Sequence, residues 1–280
     1  MKNGQHILIA SDSGTGKTRF ASTIIQPRNP RPVLVQAFDP SDKLVAYRRR
    51  GDCRIEEWEY GTREIVARGE TTLAVIERWH EQHGRGSPGM TMKGGKRVPT
   101  TKHDLVGRRF EAYLERMKHF DEETDDWYAM VLDSSTFLEL SVRAYLGGVM
   151  NVKDNQMIWG QATDELERLL MFVLPDLPIT TIVLSHVGVA QDRGEDGKDK
   201  YQLRLPGRLG KDPYAAFGEI YRAYVARSRN DGELVTEYLL QTRADNAWRC
   251  GSQLEVPDPM EPHWKHIVAA CQEAGLDPWQ

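Results

Sequence analysis

Four short apolar runs punctuate this 280-residue chain, and each stops at a small or polar residue. They are HILIA (His6–Ala10), PVLVQAFD (Pro32–Asp39), Tyr128–Leu132 running into Asp133, and ITTIVLSH (Ile179–His186). The apolar positions are continuous, not alternating, as strands covered on both faces require. CRIEEWEY (Cys53–Tyr60) reads as a further strand. Between the runs the period changes to that of a helix. Phe20, Ala21, Ile24 and Ile25 follow the first run and stop before Pro27, Pro30 and Pro32. Ile65, Leu73, Ile76 and Trp79 repeat within Arg63–His83, and further helices are expected over Asp104–Phe120 and Thr136–Leu146. Within Asn155–Val173, Ile158, Ala162, Leu166, Leu169 and Leu170 share a face, with Met157 and Trp159 read as core.

This alternation predicts an α/β fold: a mostly parallel twisted sheet with helices on both faces. The C-terminal half departs from it. GVAQDRGEDGKDKYQLRLPG reads as a hairpin around a D-G turn, and IYRAYVARS and TEYLLQTR as an antiparallel pair joined by NDGE, giving the sheet an antiparallel C-terminal extension. Residues 1–250 form the expected main domain. Residues 251–280 are read as a turn-rich linker, VPDPMEP, and a helix over His263–Ala274.

The chemistry gathers where the runs end. The first run leads into SDSGTGKT (Ser11–Thr18), which matches the phosphate-loop spacing G-x-x-x-x-G-K-[ST] except that Ser11 stands where glycine is usual. Ser13, Gly14, Thr15 and Gly16 can turn backbone N–H groups inward as an anion nest. Lys17 supplies a mobile charge for the β- and γ-phosphates, and Thr18 a hydroxyl for Mg²⁺. ATP and Mg²⁺ are the expected cofactors. Asp133, at a strand end, is the candidate second metal-side ligand; it is followed by Ser134, not Glu. Asp39 is the candidate carboxylate for orienting the attacking water, with Asp42 and Glu139 as rivals. His186 is a candidate γ-phosphate sensor.

Charge adds one feature. The formal net charge is −4 at pH 7, which argues against a globally basic nucleic-acid binder. Yet Arg85, Lys93, Lys96, Arg97, Lys102, Arg108 and Arg109 face only one acid, Asp104, between Gly84 and Arg109. The Gly-, Pro- and Thr-rich part of this island, residues 84–103, is read as a mobile basic insertion, with Lys93, Lys96, Arg97 and Lys102 as candidate contacts to a nucleic-acid backbone. Cys53, Cys250 and Cys271 make neither a zinc motif nor a disulfide framework. With no signal-like or membrane-spanning run, a reducing cytoplasm is the expected compartment, and no membrane the expected partner.

The order of SDSGTGKT, AFDPSDK, VLDSSTFLEL, IWGQATDEL, TTIVLSHV, LPGRLGKD and EIYRAYVARS resembles that of RecA-like P-loop ATPases, in particular the phage-encoded branch linked to recombination and single-strand annealing. The resemblance spans about residues 5–250. It implies ATP hydrolysis, homo-oligomers, single-stranded DNA and a phage single-strand DNA-binding or annealing protein as partners, in a host cytoplasm. It also implies roles for Lys17, Thr18, Asp133 and His186 as phosphate, metal and sensor residues. Lys211, Arg227 and Arg243 are candidates for reaching a phosphate across a subunit boundary. Such enzymes commonly carry Glu where Asp39 stands here. Two other readings are a nucleotide-switched binding protein with slow hydrolysis and a small-molecule kinase.

Overall fold

The computed structural model describes residues 4–27, 29–39, 41–58, 90–93, 96–99, 102–118, 120–193, 199–211, 217–230, 233–245 and 247–276. Its strands are β1 (His6–Ser11), β2 (Val33–Ala37), β3 (Cys53–Glu57), β4 (Met90–Lys93), β5 (Lys96–Pro99), β6 (Ala129–Asp133), β7 (Thr180–Arg193), β8 (Asp199–Leu203), β9 (Glu219–Asn230), β10 (Glu233–Gln241) and β11 (Gly251–Ser252). The main sheet runs β10-β9-β1-β7-β6-β2-β3, with β8 attached to β7 and β11 to β9. From β9 to β3 every neighbouring pair is parallel. β10, β11 and β8 are antiparallel to their partners.

The continuous apolar runs are explained by this placement. Ile7, Leu8, Ile9 and Ala10 are all buried, because alternate residues enter two different cores. Leu8 and Ala10 join Leu34, Leu132, Val183 and Ile220 on one face, under the helices Lys102–Met117, Ser135–Ala144 and Asn155–Glu167. Ile7 and Ile9 join Val35, Val131, Ile182 and Tyr221 on the other, covered by Phe20 of the first helix, by Ile24 and Ile25 just after it, and by Trp264 and Ile267 at the start of the last. Each such fully buried aliphatic or aromatic side chain contributes about 1.5–3 kcal/mol. The segment read as linker and helix is knit into this second core. β11 pairs with β9, Leu240 and Met260 exchange backbone hydrogen bonds, and Leu254, Val256, Met260 and Trp264 are buried.

Register brings the strand ends to one edge. Ser11 lies opposite His186, Asp133 opposite Leu184, and Ala37 opposite Asp133. The strand carrying Asp133 is not next to the strand feeding the phosphate loop, since β7 lies between them. The mostly parallel order, the helices on both faces and the antiparallel extension agree with the RecA-like P-loop fold expected from the sequence.

Two expectations need correction. Part of the insertion read as a loop is an antiparallel hairpin: Met90 pairs with Pro99, Thr91 with Val98, Met92 with Arg97 and Lys93 with Lys96. Met157 and Trp159 are not core; they are 53% and 47% exposed. On their helix the buried stripe passes through Ala162 and Leu166, so neighbouring apolar positions turn outward, and Trp159 is instead covered by the Arg143 guanidinium 4.1 Å from its ring centre. The helix expected over Arg63–His83 lies outside the described residues.

Candidate nucleotide site

The phosphate loop connects β1 to the helix Lys17–Ser22. Two left-handed residues make the turn, Gly14 with φ +80° and Gly16 with φ +96°. At Gly16 a second constraint applies, since a Cβ would lie 3.1 Å from Cδ1 of Tyr238 on β10. Beyond the loop, Phe20, Ala21, Ile24 and Ile25 sink into the second core and hold the helix N-terminus in place.

Lys17 is buried, with all three of its ammonium hydrogens used inside the loop. Its Nζ donates to the Ser11 carbonyl at 3.0 Å, to Ser11 Oγ at 3.0 Å and to the Asp12 carbonyl at 2.9 Å. Burial lowers its pKa to about 8, against the opposing pull of Asp133, Asp39 and Asp12. The ammonium therefore remains mainly protonated at pH 7.

Asp133 sits behind Thr18. Thr18 Oγ1 donates to Asp133 Oδ2 at 3.0 Å, and the buried Tyr47 hydroxyl donates to the same oxygen at 2.8 Å. Burial, then the charge of Asp39, raises the Asp133 pKa to about 7. Asp39 is itself buried, with Oδ1 accepting from Ser134 Oγ at 2.6 Å and Oδ2 from Lys43 Nζ at 3.3 Å. The backbone N–H groups of Phe38 and Asp39 both donate to the Asp133 carbonyl, which ties the ends of β2 and β6 together. A hydroxyl and a carboxylate 3.0 Å apart beside a buried lysine form a hard-oxygen donor set that fits Mg²⁺ shared with phosphates. Among the described residues there is no cluster of three or more His, Cys, Asp or Glu side chains that would form a metal cage without a phosphate.

His186 is half-buried at the same edge. Its backbone N–H donates to Thr136 Oγ1 at 3.0 Å, and its ring meets Phe137 edge-on. Burial, then the charge of Lys17, lowers its pKa to about 4, so the imidazole is neutral at pH 7. Glu139 stands apart from the other carboxylates, paired along its own helix with Arg143, whose Nη2 donates to Oε2 at 3.0 Å. The Asp42 side chain lies outside the described residues.

A cavity of about 400 Å³ opens beside the loop, lined by Asp12, Thr15, Val187, Arg222, Tyr224 and Arg227. A second, also about 400 Å³, shares Arg222 and Tyr224 and reaches Arg243. Arg227 therefore borders its own chain's phosphate loop, while Arg243 lies one cavity further out. The side chains of Lys211, Lys93, Lys96, Arg97 and Lys102 lie outside the described residues; their backbones place Lys93, Lys96 and Arg97 on the hairpin, and Lys102 at the start of the helix that follows it.

Tyr47, Ser134, Lys43 and Thr136 join the site without having been singled out in the sequence. The D-S-S-T order of residues 133–136 carried a signal for two of them, since hydroxyls directly after a strand-end carboxylate face the same edge.

A KaiC-like protein from Pyrococcus horikoshii OT3 is similar in structure at 17% identity and a TM-score of 0.36, over 90% of this chain and 84% of that one. An ATPase from the type III secretion system of pathogenic bacteria is similar at 12% identity and a TM-score of 0.41, over 79% of this chain and 52% of that one. No curated protein matches. The profile of the AAA_24 family, described as an AAA domain, matches residues 3–253, from before β1 to just past β11. That span takes in the glycine turn, Lys17, Thr18 and the buried Asp133, and the chain belongs to the AAA_24 family of AAA domains as a P-loop ATPase.

Proposed function

We propose that this ATPase couples hydrolysis of Mg–ATP to work on single-stranded DNA, in recombination or strand annealing of the phage type. The observation that carries the hydrolytic half is the convergence of Lys17, Thr18, Asp133 and Asp39 on one sheet edge. Thr18 and Asp133 would hold Mg²⁺, which when bound neutralises phosphate charge. Lys17 offers its positive charge to the β- and γ-phosphates, and the glycine turn its N–H groups. Asp39, held by Ser134 and Lys43, would accept a hydrogen bond from the attacking water. Neutral His186 can donate or accept one hydrogen bond at the γ-phosphate, and so report its loss. The DNA half is supported by the basic island, whose hairpin pairs Lys93 with Lys96 and Met92 with Arg97 and so concentrates cations in a short, narrow element. DNA, a homo-oligomer and an annealing partner belong to this proposal.

One observation favours the nucleotide-switch reading: both Asp39 oxygens already have partners, and Asp is a methylene shorter than Glu. Steady-state ATPase rates with single-stranded DNA, duplex DNA and no DNA separate the two. Stimulation by single strands supports the coupled ATPase. A slow rate indifferent to DNA, with tight nucleotide binding, supports the switch. Phosphate appearing on an acceptor and not in water would overturn both.

A further inference from the structure

Ser11 stands where the phosphate-loop pattern takes glycine, and its side chain is 1% exposed. Its hydroxyl accepts one of the three Lys17 hydrogens at 3.0 Å. It also contacts Thr15 Oγ1 and lies 3.0 Å from the Asp12 carbonyl. Thr15 Oγ1 in turn donates to that carbonyl at 2.8 Å. The hydroxyl is thus fixed from the far side while its lone pair faces the ammonium. The other two acceptors of Lys17 are backbone carbonyls that any residue provides. Only the third depends on the side chain at position 11. A glycine or alanine there would leave one ammonium hydrogen free for a phosphate oxygen.

We propose that Ser11 is a positioning residue that sets nucleotide affinity: its hydroxyl holds Lys17 against the loop, and a β-phosphate must displace it to gain the lysine. This deepens the nucleotide-site reading and rests on it. The contact is dry and involves a charged donor, so its loss is felt more than that of a surface hydrogen bond. Only ligands whose phosphates reach Lys17 compete with it. Ser11→Ala and Ser11→Gly should therefore bind ADP about tenfold more tightly than the parent, with AMP affinity unchanged.

Isothermal titration of the full chain with ADP and with AMP tests this, thermal melting having shown both variants folded. Where alanine leaves the strand end disturbed, glycine, the residue of the general pattern, supplies the measurement. Tighter ADP with constant AMP upholds the role. Equal ADP affinity in parent and variants overturns it while leaving the nucleotide site intact. Weaker ADP binding in both variants also overturns it, because Ser11 would then be a phosphate ligand. A parallel change in ADP and AMP would mark a structural effect on the loop and overturns it too. Failure of parent and variants alike to bind ADP overturns the nucleotide site itself, and this role with it.

Discussion

Replacing Asp133 with Asn should make the fold more stable at pH 8 while abolishing hydrolysis. The carboxyl is 2% exposed, faces the charge of Asp39 and has its pKa raised from 3.8 to about 7. A raised carboxyl pKa means that the native state holds its proton more tightly than the unfolded chain does. The contribution to stability is therefore whole at low pH, falls as pH rises from about 4, and is fully lost above about 7. A rise of this size corresponds to about 4 kcal/mol. Asparagine keeps the shape and never ionises. Thr18 and Tyr47 donate to the same oxygen, Oδ2, so one amide carbonyl can accept both hydrogen bonds and little is lost in exchange. Guanidinium unfolding of parent and Asp133→Asn without Mg²⁺, at pH 4, 6 and 8, should show nearly equal stabilities at the lowest pH. The gap should then widen in favour of the variant up to about pH 7 and remain constant beyond it. Mg–ATP should narrow the gap, because it stabilises the protein with the carboxylate more than the variant. A parent as stable as the variant at pH 8, or a gap independent of pH, would refute the idea that burial beside Asp39 loads this carboxyl.

Lys17→Ala should retain the fold, since the Asp12 carbonyl keeps the Ser11 and Thr15 hydroxyls as donors and the strand and helix on either side stay packed, but lose measurable ATP binding in a fluorescent-nucleotide titration; unchanged affinity would dismiss the loop as the site. In single-turnover assays Asp39→Asn should slow hydrolysis by about 100-fold or more at unchanged ATP affinity. Glu139→Gln, whose carboxylate is engaged by Arg143, should hydrolyse at close to the parent rate, and the opposite ranking would transfer the water-orienting role to Glu139. Replacing Lys93, Lys96 and Arg97 together by Ala should flatten the salt dependence of single-strand binding by about 0.7 slope units per lost phosphate contact; an unaltered slope would remove the hairpin from the DNA path.

Much of the fold was legible because buried parallel strands have no solvent face. HILIA and AMVLD read as strands of a sheet covered on both faces, and the register brings their ends to one edge. The phosphate loop was legible because its chemistry is local, with glycines, lysine and hydroxyl within eight residues. The Tyr47 hydroxyl on Asp133 was not legible. It joins residues 86 positions apart, and nothing around Tyr47 distinguishes it from an ordinary packed ring. The pairing of β4 with β5 was not legible either, because the surrounding Gly, Pro and Thr content reads as loop until the register is seen. Trp159 misled for a different reason: the apolar identity of a residue outweighed its angle on the helix, and a guanidinium, not the core, covers its ring.

The wedging of Trp264 under the first helix has a practical corollary. Its backbone N–H donates to Thr23 Oγ1 at 2.8 Å, and its indole is buried among the side chains that seat the phosphate-loop helix. The family profile closes at residue 253, eleven residues before that tryptophan. The span that the family matches and the span that shares this core are thus different lengths of chain. Excising the protein at the homology border would strip the lid from Ile24 and Ile25 and leave an ATPase fragment with an uncovered apolar face, so that expression, domain grafting and deletion mapping must all carry the last helix along.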